Sequence, residues 1–162
     1  MNAGERYRNA EERCMNAEER CMNDNYIKVE MATIPENVGF ARIVVAGFLA
    51  PLDPTVDEIS DIKTAVSEAV TNAIIHGYEE CDGIVQMQLS SVGREITIEI
   101  SDTGIGIENV ETVREPMFTT KPDLERSGLG FTVMETFMDS VEVKSKPSAG
   151  TAVIMTKKLV LQ

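Results

Sequence analysis

Two polar side chains four residues apart, Glu68 and Asn72, are the first candidates for chemistry in this sequence. Apolar residues around them recur at helical spacing, so both side chains are predicted to project from one face of a helix. An asparagine oxygen is a hard, neutral ligand that suits Mg²⁺ beside phosphate oxygens and waters. A nearby carboxylate can take the proton from an attacking hydroxyl or water. Taken alone, however, the pair is better explained as a solvated helix face.

A second candidate is the turn after a strongly alternating strand, where Asp102 is followed by Gly104 and Gly106. A carboxylate at the end of a strand is well placed to accept a hydrogen bond from the exocyclic amine of adenine. Glycines remove side chains where the backbone must approach a ligand. The same residues also fit a capped turn, because Asp and Gly are common in turns.

A third candidate is the segment Ser127–Gly130, which carries two glycines and precedes a predicted helix. Free N–H groups at the start of a helix bind phosphate, and glycines let the phosphate come close. The spacing is neither that of a P-loop nor that of a Rossmann fingerprint. Alone, this segment would also fit a flexible hinge.

The segment between the two glycine motifs, Pro116–Lys121, fits a mobile lid with one aromatic anchor. We expect Thr119 and Thr120 of this lid to lie at the nucleotide. Lys121 and Arg126 are the cations nearest to the predicted phosphates in the sequence.

Helices are predicted early in the chain and antiparallel strand pairs late. Asp53 is expected to cap the second helix, with Pro54 in its first turn and Gly77 as its stop. Gly93-Arg94 is expected to form a hairpin turn. The predicted strands are 26–33, 84–92, 95–101, 141–145 and 151–158, and the predicted helices are 36–50, 54–76 and 131–138. This order predicts an α+β fold: a two-layer α/β sandwich, a mixed sheet with helices on one face.

Composition limits the classes of partner. The chain has 162 residues and a formal net charge of −12, so we expect no direct binding of nucleic acid through a general electrostatic field. No apolar run is long enough for a membrane span or a signal peptide, which predicts a cytoplasmic protein without membrane contact. The spacing of the three cysteines is not that of metal ligands, and their odd number is most simply explained by reduced thiols.

Residues 1–24 contain a heptad tandem, in which Arg8–Cys14 is followed by the similar Met15–Cys21. Its apolar residues are too few and too small for a convincing coiled-coil seam. We expect a frayed or disordered extension without a catalytic role. Residues 25–162 are predicted to form a single domain.

The order and spacing of these motifs resemble the Bergerat-fold ATPases over about Asn25–Leu159. Within that superfamily the chain looks like the anti-sigma-factor serine kinases, and most like their sporulation branch. The residues that carry this narrower likeness are Phe40–Arg42, Leu52–Pro54, Ser67–Tyr78 and Phe118–Phe131.

The resemblance implies Mg-ATP as the nucleotide. Glu68 would be the general base, Asn72 the magnesium ligand and Asp102 the acceptor of the adenine amine. Gly104 and Gly106 would lie beside that amine. The remaining nucleotide contacts implied by the family are Ser127, Gly128 and Gly130 at the phosphates and Thr151 near the adenine-binding carboxylate.

The resemblance also implies partners. Members of this group transfer the γ-phosphate of ATP to a serine of an anti-anti-sigma factor, and as homodimers they bind and silence a sigma factor. Arg42 matches a family position that contacts both partners.

Three other interpretations remain. Autophosphorylation on His76, as in a two-component kinase, is disfavoured because no phosphoacceptor helix bundle precedes Asn25. A general-stress anti-sigma kinase would carry the same motifs. A binding module that holds ATP only as a structural ligand would not need the carboxylate of Glu68.

Overall fold

The computed structural model of this chain describes residues 24–78, 82–111 and 129–160. The predicted extension 1–24 therefore lies outside the described residues except for Asp24. The elements are β1 (Asn25–Ala32), α1 (Glu36–Leu49), a 3₁₀ turn (Ala50–Leu52), α2 (Val56–Asn72), a π turn (Ala73–Gly77), β2 (Ile84–Val92), β3 (Glu95–Asp102), α3 (Gly130–Phe137), β4 (Ser140–Ser145) and β5 (Thr151–Lys158).

The strands form one sheet in the order β1-β2-β3-β5-β4. The predicted two-layer α+β architecture is confirmed, but the prediction of a mixed sheet is wrong in one respect. Every strand pair in the described residues is antiparallel. The reason is that β2–β3 and β4–β5 are both hairpins, and β5 returns beside β3 in the opposite direction.

Alternation along the strands gives the sheet one buried and one open face. In β3, Ile96, Ile98 and Ile100 are buried, whereas Thr97 and Glu99 between them are half-buried on the open face. Asp102 falls on the same side as the isoleucines, because it continues their alternation. A charged group is therefore placed at the edge of the apolar core.

The helices cover the buried face of the sheet. In α2 the buried side is apolar and includes Ile62, Val66 and Val70. α2 packs between α1 and α3 and also contacts β3. Burial of each such side chain contributes about 1.5–3 kcal/mol to folding, so α2 is held firmly against the sheet.

The start of α2 differs from the prediction. Thr55, not Asp53, is the N-cap: its hydroxyl accepts a hydrogen bond from the Glu58 N–H (3.1 Å), and the Glu58 carboxylate accepts from the Thr55 N–H (2.8 Å). Asp53 instead ends the preceding 3₁₀ turn in a left-handed conformation with φ 48°. The helix therefore begins at Val56, two residues later than expected.

The end of α2 is also irregular. After Asn72 the helix widens into a π turn that runs to Gly77. Such turns occur as single insertions within helices, often at functional sites. Here the carbonyl of Gly77 accepts a hydrogen bond from the Ile105 N–H (2.8 Å) and joins the helix to the loop after β3.

The hairpin turn predicted at Gly93-Arg94 is confirmed, with Gly93 at a positive φ of 58°. The guanidinium of Arg94 donates to the carbonyl oxygens of Leu52 (2.7 Å), Asp53 (3.3 Å) and Val160. One side chain thus connects the β2–β3 turn, the segment before α2 and the segment after β5.

Glu58 reinforces this connection from the helix side. Its Oε1 accepts a hydrogen bond from the Val160 N–H (2.7 Å). Burial alone would raise the pKa of Glu58, but hydrogen bonds from Thr55 and Val160 and the charge of Arg94 outweigh it, so the pKa lies below its ordinary value. The carboxylate is therefore ionised across the neutral pH range.

We expect Arg94→Met to lower the free energy of unfolding by about 1–3 kcal/mol, because carbonyl oxygens at the turn lose their donors. Denaturant unfolding at neutral pH measures the change. Lys144→Met is the control, since Lys144 is exposed and its ion pair with Glu142 (3.4 Å) lies in solvent; its expected change is under about 0.5 kcal/mol. Equal effects of the two substitutions would contradict the structural role of Arg94.

Candidate nucleotide-binding site

Asp102 ends β3 with only 8% of its surface exposed. It pairs in register with Val85 on β2 and Thr151 on β5. Its Oδ1 accepts a hydrogen bond from the N–H of Gly104 (2.9 Å). The carboxylate is thus fixed by the turn that follows it.

Burial raises the pKa of Asp102, and the backbone N–H groups of Gly104 and Thr151 lower it in part, so the net pKa lies above the ordinary value for aspartate. A carboxylate that is short of solvation gains from any further hydrogen-bond donor. The amine of an adenine base is such a donor, so the position suits the role predicted for Asp102.

Glycines allow three backbone segments to meet around Asp102. A Cβ at Gly77 would lie 3.0 Å from the Asp102 Cγ. A Cβ at Gly104 would overlap the Gly77 carbonyl, and one at Gly150, whose φ is 80°, would overlap the Asp102 carbonyl. Gly104 is therefore required by a contact between protein backbones, whereas the sequence suggested ligand contact as its reason. Gly77 and Gly150 leave room for the side chain and the carbonyl of Asp102.

Gly106 shows the same pattern on the far side of the loop. Its φ is 72°, and a Cβ there would overlap the carbonyl of Lys146 in the β4–β5 turn. The Ile105 carbonyl in turn accepts a hydrogen bond from the Ser148 N–H (2.6 Å). The loop after Asp102 therefore lies between α2 and the β4–β5 turn.

Ser145, at the end of β4, binds this loop through its hydroxyl. The sequence did not identify it as a site residue. Its hydroxyl accepts from the Ile107 N–H (2.8 Å) and donates to the Gly150 carbonyl (2.9 Å). It also lies 2.8 Å from the Thr151 hydroxyl. A serine at a strand end gives no distinctive sequence signal, because its partners are distant in the chain.

The structure brings Glu68 and Asn72 together with Gly130, the first residue of α3. A Cβ at Gly130 would lie 3.2 Å from Glu68 Oε2 and 3.3–3.4 Å from the Asn72 amide atoms. The first N–H groups of a helix have no carbonyl partner within that helix. An acid and an amide thus face a helix start of the kind that binds anions.

α2 and the π turn that follows it together reach both ends of this site. Gly77 touches Asp102, and Glu68 lies nine positions earlier, roughly 13 Å away at the usual helical rise. A nucleotide in an extended conformation could therefore place its base at Asp102 and its phosphates at Gly130 along one face of α2.

The side-chain oxygens near Gly130 also suit a magnesium ion as ligands. Within the described ranges there is no group of three or more His, Cys, Asp or Glu side chains that could hold a metal. Magnesium bound with a nucleotide does not need such a cage, because phosphates and waters supply most of its oxygens. The single amide of Asn72 beside the helix start fits this donor set.

Six predicted nucleotide contacts lie outside the described residues: Thr119, Thr120, Lys121, Arg126, Ser127 and Gly128. The predicted partner residue Arg42 lies on α1, where its guanidinium donates to the hydroxyl of Ser67 (2.9 Å). Ser67 precedes Glu68 directly, so Arg42 contacts the helix that carries the candidate base.

We expect Asp102→Asn to unfold with at least the free energy of the unchanged protein at pH 7, without nucleotide. The raised pKa means that the native state holds its proton more tightly than the unfolded state, so wild-type stability falls as pH rises from about 4 towards the native pKa. Asparagine does not ionise and so removes this pH-dependent loss of stability. Its side-chain oxygen can still accept the hydrogen bond from the Gly104 N–H.

Denaturant unfolding of both proteins between pH 4 and pH 7 tests this expectation. The advantage of Asp102→Asn over the unchanged protein should grow as pH rises. An advantage that shrinks with rising pH would contradict the burial effect.

Residues 31–157 match the family model of the histidine kinase-like ATPase domain. The anti-sigma F factor of Clostridium kluyveri is 56% identical over 134 residues, which cover 83% of this chain and 94% of that protein. The anti-sigma F factor of Clostridium perfringens is 59% identical over 138 residues, covering 84% of this chain and 98% of that protein.

Solved structures share the fold at low identity. The RsbU and RsbW domains of Rv1364c from Mycobacterium tuberculosis align with a TM-score of 0.62 and 17% identity, over 85% of this chain and 33% of that longer chain. The nucleotide-free catalytic domain of the histidine kinase ThkA aligns with a TM-score of 0.51 and 14% identity, over 82% of this chain and 96% of that one. The family resemblance drawn from the motifs is confirmed: the chain belongs to the anti-sigma F factors, within the histidine kinase-like ATPase family.

Proposed function

We propose that this protein binds and inhibits a sporulation sigma factor and uses Mg-ATP to phosphorylate a serine of an anti-anti-sigma partner. Membership in an ATPase family implies ATP binding, and the relatives are named anti-sigma factors. The observation that carries the kinase proposal is the placement of Glu68 and Asn72 against Gly130. Adenine binding alone would not require a carboxylate at the phosphate end.

At the end of the site that binds the base, the Asp102 carboxylate accepts a hydrogen bond from the adenine amine. Bases without such an amine are disfavoured. Burial raises the pKa of Asp102, which makes an added donor favourable. Thr151, whose N–H already supports the carboxylate, lies beside it on β5.

At the phosphate end, the N–H groups at the start of α3 receive the phosphates, and Gly130 keeps that approach open. The protein carries a net charge of −12, so anion binding must rely on such local dipoles and on cations. Asn72 would hold the magnesium ion, which offsets phosphate charge when bound. Thr119, Thr120 and Lys121 of the lid, together with Arg126, remain proposed contacts.

Glu68 acts as the general base. It takes the proton from the hydroxyl of the partner serine as that oxygen forms a bond to the γ-phosphorus. The bond between the γ-phosphorus and its bridging oxygen breaks, and ADP leaves. Positioning and charge stabilisation account for most of phosphoryl-transfer catalysis, and the base adds to them.

The partner surface is proposed on α1 around Arg42. Its neighbours Phe40 and Ile43 are exposed, with 47% and 71% of their surfaces accessible. Arg42 donates to Ser67 on α2 (2.9 Å), so a partner that engages this side chain docks close to the candidate base. We propose that the protein acts as a homodimer in the cytoplasm.

We expect Glu68→Gln to retain ATP and sigma-factor binding while phosphorylation slows by about 10²–10⁴-fold. The substitution keeps the size of the side chain and removes its basicity. The control is Glu99→Gln on the open face of the sheet, which should phosphorylate at the unchanged rate. Phosphorylation at the normal rate by Glu68→Gln would favour the alternative of a module that only holds ATP.

We expect Arg42→Ala to weaken binding of both protein partners at least about 10-fold, as loss of an interface arginine often does. Nucleotide affinity should stay unchanged, because Arg42 contacts Ser67 and not the candidate pocket. Isothermal titration with each ligand measures both quantities. Lys28→Ala, on β1 facing the open side of the sheet, serves as the control; equal weakening by both variants would point to a general charge effect.

The decisive experiment incubates the purified protein with labelled Mg-ATP and either a sporulation or a general-stress anti-anti-sigma factor. Label on a serine of the sporulation partner supports the proposal. Label only on the general-stress partner would assign the protein to the related branch. Label on His76 of this chain would overturn the serine-kinase proposal.

A further inference from the structure

Tyr78 follows the π turn at the end of α2, and its hydroxyl joins three segments. It donates to the carbonyl of Ile84 at the start of β2 (2.8 Å) and accepts from the N–H of Thr103 (3.0 Å). The Thr103 hydroxyl lies 3.1 Å from the same oxygen. Because the phenol proton is directed to Ile84, the Thr103 hydroxyl is the donor in that third contact.

The ring of Tyr78 packs directly against the backbone of Gly83. A Cβ at Gly83 would overlap three atoms of the ring, so only glycine allows the ring to lie this close to the backbone. Gly83 is itself held by Thr33, through hydrogen bonds of its N–H (3.0 Å) and its carbonyl (3.2 Å). The phenol is therefore fixed at both its ring and its hydroxyl.

The contact with Thr103 matters because Thr103 lies between the carboxylate of Asp102 and the N–H of Gly104 that binds it. The bond from Gly104 to Asp102 closes an Asx turn, which leaves the N–H of Thr103 inside it without a partner in the turn itself. The Tyr78 hydroxyl binds this N–H and so limits rotation of its peptide.

We infer that Tyr78 is a positioning residue for adenine selection: its hydroxyl holds the Asp102–Gly104 turn so that the carboxylate faces the base amine. The inference rests on the adenine role proposed for Asp102. Tyr78 acts through the turn and does not itself contact the nucleotide.

Tyr78→Phe tests the inference, because it keeps the ring on Gly83 and removes only the hydroxyl. The variant loses the contacts with Ile84 and Thr103 together, and loss of the bond from the Thr103 N–H should speed amide exchange at Thr103 and weaken ATP binding, each about five-fold. Binding of inosine triphosphate, which has a keto oxygen in place of the amine, should not change. The control is Tyr26→Phe, whose hydroxyl donates to Gln88 on the open face of the sheet (2.9 Å); it should leave all three quantities unchanged.

The outcomes separate this inference from the proposed function. A wild-type protein that binds both nucleotides equally would remove the adenine role of Asp102 and the inference with it. A wild-type preference for ATP that Tyr78→Phe leaves intact would overturn the inference alone. Equal weakening of both nucleotides in Tyr78→Phe would also overturn it, because that result indicates a general structural role.

Discussion

A carboxylate withheld from water at the end of β3 is the constraint on which the rest of this structure depends. Burying Asp102 is costly unless donors reach it, and the chain supplies the N–H groups of Gly104 and Thr151. To bring those groups close, the helix end, the loop and the β4–β5 turn must pack against one another. Glycines at 77 and 150 permit that packing because they lack a Cβ.

The sheet places this arrangement where the helices can complete it. Antiparallel register sets Asp102 opposite Thr151, and the alternation of β3 turns the carboxylate towards α2. The π turn after α2 lies at Asp102 and α2 itself lies at the start of α3, so one continuous helical segment sets the relative position of the two ends of the site. Catalytic geometry of this kind is more reproducible on a packed helix than on loops.

Local patterns were sufficient for several of the elements that position this site. The alternation before Asp102 predicted the strand, and Gly93 predicted its turn, because both signals lie within a few residues. The cap of α2 was readable as well, since Thr55 and Glu58 have the spacing of a capping box. Asp53 also fits a cap on sequence alone, because Pro54 suits the first helical turn.

The long-range contacts could not be predicted in the same way. Gly104 packs on Gly77, and Ser145 binds the loop after Asp102; both contacts join residues far apart in sequence. A single sequence carries no record of such pairs. The antiparallel course of β5 beside β3 also depended on how the chain returns, which strand periodicity does not encode. What the sequence lacked was therefore the pairing of distant segments.

The hydrogen bonds at the β2–β3 turn have a practical consequence for labelling the protein. The side chain of Asp24 accepts a hydrogen bond from the Gly93 N–H, and the Leu159 N–H donates to the Arg94 carbonyl, so both ends of the described part of the chain lie at this turn. Asp102 lies at the opposite end of β3, roughly 23 Å away at the usual strand rise. A fluorescent label attached at Asp24 or Leu159 would therefore lie far from Asp102.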